Sequence, residues 1–155
     1  MFSVGGEWES GMAMYDAIMM CKSFVSTVVY GQAESMSSII LQASDNRVMT
    51  SHSYFMSHYG NGGYEGNYLD VQAANKYDKY CCDIMLDIYS NVFIKSKVFK
   101  ENYKGGTIEK ARNYIMRKMK NGDWYLSARG AVDHGFADST LDNKYDLDSV
   151  KNEGK

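Results

Sequence analysis

The sequence is poor in cysteine, with three among its 155 residues: Cys21, Cys81 and Cys82. Three thiols cannot all pair, and two adjacent cysteines are badly placed for a disulfide framework. Their spacing does not fit a zinc site either. We therefore expect three buried thiols.

Long apolar runs and a strong charge of one sign are also absent. No apolar stretch approaches the roughly 20 residues that a membrane helix needs, and no basic segment precedes an apolar one at the N-terminus. The net charge of −2 provides no electrostatic footprint for nucleic acid or an anionic membrane. With 45% hydrophobic and 23% charged residues, the composition is that of one globular domain. We expect a cytoplasmic protein that binds neither nucleic acid nor membranes.

The first half of the chain alternates strand and helix patterns. β-Branched, aromatic and other apolar residues predict strands at 24–30, 47–50 and 54–57. Apolar residues at helical spacing predict helices at 12–22 and 35–44. Because strands that alternate with helices pair mainly in parallel, the sequence predicts an α/β fold with a largely parallel sheet.

The second half of the chain predicts three helices. The first is long and amphipathic, with apolar residues at Tyr77, Tyr80, Cys81, Ile84, Ile88 and Val92. Gly105 and Gly106 interrupt this pattern, and Thr107 is placed to cap a second helix. A short third helix begins at Ser127 and ends at Gly135 in the C′ position.

A basic and aromatic segment lies between the first two of these helices. It contains Lys95, Lys97, Val98, Phe99, Lys100, Tyr103 and Lys104. Such a segment can bind an anionic partner, or it can be an ordinary solvated surface. The residues alone leave both interpretations open.

Ser35 lies where a predicted strand turns through Gly31 into a predicted helix. A hydroxyl at that position can attack a carbonyl, and the unpaired N–H groups at the helix start can stabilise the oxyanion that forms. Serine is also a common helix N-cap, so capping is the alternative. Of the three histidines, only His58 ends a strand beside a glycine-rich turn, where it is either a base or a structural residue.

Four ordered blocks of the sequence resemble one protease family. Residues 31–36 (Gly-Gln-Ala-Glu-Ser-Met) resemble the nucleophile segment of the proteolytic subunit of ATP-dependent Clp proteases, and residues 2–16 resemble the strand end and helix upstream of it. Residues 58–66 resemble the family's catalytic histidine and glycine-rich strand. Residues 123–138 follow its Asp-x-x-Leu-Ser-Ala and Ala-x-x-x-Gly-x-x-Asp pattern. The chain is therefore similar to a Clp-type serine peptidase.

The resemblance implies a Ser-His-Asp triad. Ser35 would attack the peptide carbonyl, His58 would take its proton, and Asp123 would orient the imidazole. The alternative for Asp123 is a turn aspartate after Asn121 and Gly122.

The resemblance also implies binding groups around the triad. The backbone N–H groups of Gly6 and Met36 would form the oxyanion hole. An extended peptide would pair with a strand at the site, in the β-augmentation mode. The substrate-binding residues would be Gly5, Gly62, Gly63 and Tyr64. No metal or other cofactor is implied.

At the level of the fold, the resemblance implies a Clp/crotonase-like spiral of strand–helix units with a protruding helical handle. The peptidase domain would cover residues 1–141, with the handle at about 68–120, and a flexible polar tail would follow at 142–155. The subunits would form heptameric rings that can stack in pairs, and an AAA+ unfoldase ATPase would supply unfolded polypeptides. Because the match begins at Phe2, within the family's pattern, we expect the chain to lack the family's N-terminal portion and to be inactive or aggregation-prone alone.

The sequence departs from the family's motifs at several positions. It contains no proline, and Val4 and Gly60 stand where the family has proline. Tyr59 replaces a glutamine and Glu34 replaces a small residue beside the nucleophile, where a carboxylate can oppose the transition-state charge. The alternative function is therefore a catalytically impaired or structural subunit. A crotonase-type acyl-CoA enzyme is a third hypothesis, although such enzymes need no Ser-His-Asp set.

Overall fold

The structure is a computed structural model that describes residues 1–142. Within this range the chain forms six helices and six strands. In chain order they are α1 (Trp8–Met19), β1 (Ser26–Val29), β2 (Gln32–Glu34), α2 (Met36–Leu41), β3 (Asn46–Thr50), β4 (Tyr54–Ser57), α3 (Tyr68–Phe93), α4 (Lys97–Asn102), α5 (Ile108–Met119), β5 (Trp124–Ser127), α6 (Ala128–Asp133) and β6 (Ser139–Leu141). No helix in the described range is long and apolar enough to span a membrane.

The strands form two small sheets in which most pairs are parallel. One sheet has the order β1-β3-β6 and is parallel throughout. The other has the order β2-β4-β5, where β2 and β4 are parallel and β5 is antiparallel to β4. Ser3 forms a further parallel bridge with Ala33, so the N-terminal residues extend the second sheet beside β2. These sheets confirm the predicted α/β fold with mainly parallel pairing.

Aromatic side chains fill the core between the sheets and the helices. Phe55 on β4 stacks on Phe136 with ring centroids 4.8 Å apart, and Tyr89 on α3 meets Phe136 edge-on at 5.5 Å. The C-terminal half of α3 is buried in this core, whereas Tyr68 and Leu69 at its start are 76% and 67% exposed. A helix of 26 residues is about 39 Å long. The first half of α3 is therefore more exposed than the second, and its role as a handle stays a prediction.

A hydrogen-bond network around Arg47 joins α2 and β3 to the segment before β6. The guanidinium binds both carboxylate oxygens of Asp138 and donates to the Gln42 side-chain oxygen at 2.8 Å. The amide of Gln42 in turn donates to the carbonyls of Ser38 and Phe136. These contacts fix the turn after α2 against the segment that leads into β6.

Several element boundaries differ from the sequence-based predictions. α1 begins at Trp8 rather than 12, so that Gly11 lies inside the helix. The glycine allows α1 to approach α2 closely, because a Cβ on Gly11 would come within 2.1 Å of the Met36 side chain. The predicted strand at 24–30 and the predicted helix at 35–44 are both shorter in the structure. The sequence pattern missed β2, β5, β6 and α4, which contain only three to six residues each.

The later helices follow their predicted capping residues. The Thr107 hydroxyl accepts a hydrogen bond from the Lys110 N–H at the start of α5, and Gly135 follows α6 with φ +77°. In the basic segment, Phe99 is buried while Lys95, Lys97 and Lys100 are exposed, as on a solvated surface.

The expectation of three buried thiols is wrong in part. Cys81 is buried and Cys82 is half-buried, but Cys21 is exposed because it follows the end of α1, outside the core. Apart from residue 142, the predicted polar tail at 142–155 lies outside the described residues.

The half-buried His134 predicts a loss of stability in mild acid. Burial lowers the pKa of His134, so below about pH 6.5 the unfolded chain binds a proton that the folded chain resists. We expect the free energy of unfolding to fall between about pH 7.5 and 5.5, and to fall less in His134→Phe. Urea unfolding at several pH values measures this, with His52→Asn as an exposed control. An equal pH dependence in wild type and His134→Phe would contradict the prediction.

Candidate active site

Ser35 occupies the sharp turn between β2 and α2. Its backbone has φ +50° and ψ −126°, and it is the only non-glycine residue with positive φ among residues 1–142. Such a conformation costs about 1–3 kcal/mol and persists only where neighbours hold it. Its N–H donates to the Met56 carbonyl of β4 at 2.9 Å. The hydroxyl makes no capping hydrogen bond to α2, which argues against the capping interpretation.

The N-terminal segment passes directly over this turn at Gly5. A Cβ built on Gly5 would lie 2.7 Å from the Ser35 Cβ and 2.9 Å from both the Glu34 carbonyl oxygen and the Met36 nitrogen. Gly5 also has φ +93°, in the region that favours glycine. The close approach and the backbone conformation therefore both require glycine at this position.

His58 follows β4 and faces the Ser35 hydroxyl. The His58 Nε2 lies 2.7 Å from the Ser35 Oγ, within hydrogen-bonding distance. When Nε2 accepts the serine proton, the ring carries its own proton on Nδ1. The imidazole is then arranged to deprotonate the hydroxyl.

Asp123 lies on the other side of the imidazole. β5 runs antiparallel to β4 with Trp124 opposite Ser57, so the residues flanking this pair, His58 and Asp123, are neighbours. The His58 Nδ1 is 3.4 Å from the Asp123 Oδ1, which is longer than a normal hydrogen bond. The imidazole is mostly shielded from solvent, while the carboxylate is 46% exposed.

The other two histidines lie away from Ser35. His52 is exposed in the turn between β3 and β4. His134 ends α6, where its Nδ1 is 2.8 Å from the Gly130 carbonyl and its Nε2 is 3.0 Å from the Tyr114 hydroxyl. Of the three, only His58 meets the serine.

Two backbone N–H groups near Ser35 have no acceptor in the described part of the chain. They belong to Gly6 and to Met36, the residue after the serine. Both residues line the cavity that opens at Ser35. Free donors beside a nucleophile are the groups that an oxyanion hole requires.

The cavity beside Ser35 and His58 has a volume of about 600 Å³. Met36, Ile39 and Met85 form apolar parts of its wall. Its acidic residues are Glu7, Glu9 and Asp78, and no lysine or arginine of the described residues lines it.

Two of these carboxylates are held by tyrosines. The Tyr77 hydroxyl donates to Glu9 at 2.7 Å and lowers the pKa of that carboxyl. The Tyr64 hydroxyl donates to Asp78 at 2.6 Å. The sequence did not identify this acidic wall, because its members come from separate segments that only the fold brings together.

Glu34 does not line the cavity. Its carboxylate lies beside Tyr54 on β4, and this contact raises the pKa of the Tyr54 hydroxyl. The carboxylate of the residue before Ser35 therefore lies against Tyr54 rather than in the cavity.

The glycine-rich segment after His58 is not a strand in this structure, which corrects that part of the prediction. Residues 58–67 have no strand neighbour, and no backbone N–H or carbonyl of residues 60–66 is hydrogen-bonded within the described chain. A strand needs a paired neighbour, and none lies here. Gly62 and Tyr64 border the cavity, while Gly63 is not among the residues that line it.

Comparison with known proteins identifies relatives of this chain. The family model described as Clp protease matches residues 1–144. The ATP-dependent Clp protease proteolytic subunit of Deinococcus radiodurans is 30% identical over 140 residues, which cover 89% of this chain and 61% of that protein. The proteins of the same name from Dehalococcoides mccartyi strains BAV1 and CBDB1 are each 32% identical over 143 residues, covering 90% of this chain and 62% of each protein. The chain thus spans about three fifths of the length of these curated relatives.

The tight fit over Ser35 predicts that Gly5 does not tolerate a side chain. We expect Gly5→Ala to lower the free energy of unfolding by about 2 kcal/mol, because the methyl group would overlap backbone atoms and Ala disfavours this φ. Gly6→Ala is the control, since a Cβ there meets no atom within 4 Å. Denaturant unfolding of both variants measures the difference. A Gly5→Ala variant as stable as Gly6→Ala would contradict the close approach.

Proposed function

Because this chain belongs to the Clp protease family, we propose that it is a serine endopeptidase that hydrolyses peptide bonds of unfolded polypeptides through an acyl-enzyme intermediate. Family membership supports a serine peptidase in general. The observation that carries the finer proposal is the 2.7 Å contact between the Ser35 Oγ and the His58 Nε2 at a strained turn. An ordinary surface serine has neither the base nor the strain.

In the proposed reaction, His58 Nε2 takes the proton of Ser35 as the Oγ attacks the peptide carbonyl. The tetrahedral intermediate collapses, the C–N bond breaks, and the imidazolium gives its proton to the leaving amine. Water, deprotonated by His58, then attacks the ester and releases Ser35. Asp123 stabilises the imidazolium, and closure of its 3.4 Å separation from Nδ1 would accompany substrate binding.

The oxyanion would be bound by the N–H groups of Gly6 and Met36. Their lack of other acceptors in the described chain supports this role. Removal of one such donor in a protease costs about 10²–10³ in kcat. Gly5 contributes by placing the N-terminal segment close enough to Ser35 for Gly6 to reach the reacting carbonyl.

An extended peptide would bind along residues 60–66. Their free N–H and carbonyl groups support pairing by β-augmentation, in which the substrate supplies the missing neighbouring strand. Gly62, Gly63 and Tyr64 would present this edge. Because the contacts are made by the backbone, the site would accept many side chains.

Ring assembly is part of the proposal. The exposed first half of α3 carries Tyr68, Leu69 and Tyr80, each more than 60% exposed. Large exposed apolar side chains on one element are typical of protein contacts. We infer that this half of α3 packs against other subunits in heptameric rings, stacked in pairs, to which an AAA+ unfoldase ATPase delivers substrates in the cytoplasm. A catalytically impaired structural subunit is the alternative.

A fluorophosphonate probe tests the nucleophile directly. We expect the probe to label wild type at Ser35 and to leave Ser35→Ala unlabelled. His58→Ala should lose several orders of magnitude of peptidase activity, because Ser and His act as one unit. Mass spectrometry of the labelled peptide gives the position. Ser90→Ala is a control for loss of a serine elsewhere. A folded, assembled wild type that takes up no probe would favour the structural subunit instead.

The acidic cavity predicts a preference among short peptides. We expect a peptide with Lys near the cleaved bond to be hydrolysed faster than the same peptide with Glu, because Glu7, Glu9 and Asp78 attract a cation and repel an anion. Glu9→Gln and Asp78→Asn keep the shape and the acceptor oxygen, and each should reduce the Lys-to-Glu ratio of kcat/KM by about two- to fivefold.

Salt and an exposed control variant complete this test. The preference should weaken as ionic strength rises, because exposed charges are screened. Glu109→Gln, on the exposed start of α5, should leave the ratio unchanged. Equal rates for the Lys and Glu peptides at low salt would refute the prediction.

A further inference from the structure

The carbonyl of Ser35 is held by a buried hydroxyl on the third residue of α2. The Ser38 Oγ donates to the Ser35 carbonyl oxygen at 2.6 Å, and the Ser38 backbone N–H donates to the same oxygen at 3.0 Å. The neighbouring Glu34 carbonyl is bound by the Ser37 hydroxyl at 2.6 Å. Hydroxyl groups of α2 therefore hold the carbonyls of both peptide groups that flank the strained Ser35.

The Ser38 hydroxyl has a second partner, on a different helix. The Tyr89 hydroxyl of α3 lies 2.7 Å from the Ser38 Oγ, and both side chains are at most 1% exposed. A carbonyl accepts only, so the single proton of Ser38 points to Ser35 and Tyr89 must donate to Ser38. The result is a directed chain of hydrogen bonds from Tyr89 through Ser38 to the nucleophile's own carbonyl.

We propose that Tyr89 is a positioning residue that acts through Ser38 to hold Ser35 in its reactive conformation. The inference rests on the proposed function of Ser35. The hydrogen bonds stabilise a backbone that would otherwise relax out of positive φ, and each bond polarises the next in the dry interior. If the carbonyl were released, the Ser35 Oγ would lose its alignment with His58.

The same helix also forms part of the substrate cavity. Met85 and Cys82, one and two turns before Tyr89 on α3, line the cavity beside His58. Tyr89 is itself fixed by Phe55, at 6.0 Å between ring centroids, and by Phe136. The position of α3 thus sets both the cavity wall and the geometry of the nucleophile.

The test measures the rate of fluorophosphonate labelling of Ser35 in full-length variants, well below their melting temperatures. We expect Ser38→Ala to react about tenfold more slowly and Tyr89→Phe about threefold more slowly, in line with the loss of buried hydrogen bonds. Because the two hydroxyls act in one chain, the double variant Ser38→Ala/Tyr89→Phe should be no slower than Ser38→Ala alone. The double variant leaves no buried hydroxyl without a partner, which separates positioning from a loss of stability.

Ser90→Ala is the matched control. Ser90 is equally buried and adjacent on α3, but its hydroxyl donates to the Leu86 carbonyl of its own helix at 2.5 Å. We expect it to label at the wild-type rate. Where peptide hydrolysis is measurable, the Tyr89 and Ser38 variants should lower kcat and leave KM unchanged.

The outcomes separate this inference from the proposed function. Wild-type labelling with unchanged rates in Ser38→Ala and Tyr89→Phe would overturn the positioning role alone. The positioning role would also be overturned if Ser90→Ala slowed labelling as much as these variants do. A change in KM without a change in kcat in the Ser38 and Tyr89 variants would overturn it too. A folded, assembled wild type without any labelling would overturn the role of Ser35 and, with it, this inference.

Discussion

The positive φ of Ser35 is the constraint on which the arrangement of this molecule depends. A side-chain-bearing residue in that conformation is unstable by itself, so other elements must hold each group around it. The Ser35 N–H donates to the Met56 carbonyl of β4, and the Ser35 carbonyl accepts from the Ser38 hydroxyl of α2. The N-terminal segment passes over the turn at Gly5. The strain is thereby spread over contacts from three separate parts of the chain. A strained residue with this much support indicates a functional position rather than an accident of folding.

Sheet register accounts for the remaining partners of Ser35. Glu34 pairs with Met56 in the parallel β2–β4 ladder, which places the residues that follow each strand, Ser35 and His58, near the same end of the sheet. The antiparallel β4–β5 ladder then brings Asp123 to His58 from the other side. Trp124 anchors this edge, because its ring packs against Phe136 at 5.8 Å in the aromatic core. Packing of the residue next to Asp123 therefore helps to fix the distance between the aspartate and the histidine.

The sequence predicted those parts of the site that have local signals. The turn at Ser35 follows an apolar strand pattern, and His58 was distinguished from His52 and His134 by its position between a strand and a glycine-rich turn. The family-model match confirms the family and the α/β fold, while the roles of Ser35, His58 and Asp123 remain proposals. β2 contains only three residues, which is too short for a periodic pattern, so it escaped prediction. The acidic wall and the Tyr89–Ser38 contact join residues up to 71 positions apart, and no sequence pattern reports such pairs.

The length and burial of α3 connect the site to the molecular surface. Its first half is largely exposed and carries Tyr68, Leu69 and Tyr80 among polar residues, whereas its second half is packed in the core. The two halves form one continuous helix of 26 residues, joined by backbone hydrogen bonds between residues four apart. In the proposed rings, the exposed half would contact another subunit while the buried half stays in the core. Because the buried half contains Met85 in the cavity wall and Tyr89 beside Ser38, the proposed subunit contacts and the geometry around Ser35 depend on the same helix.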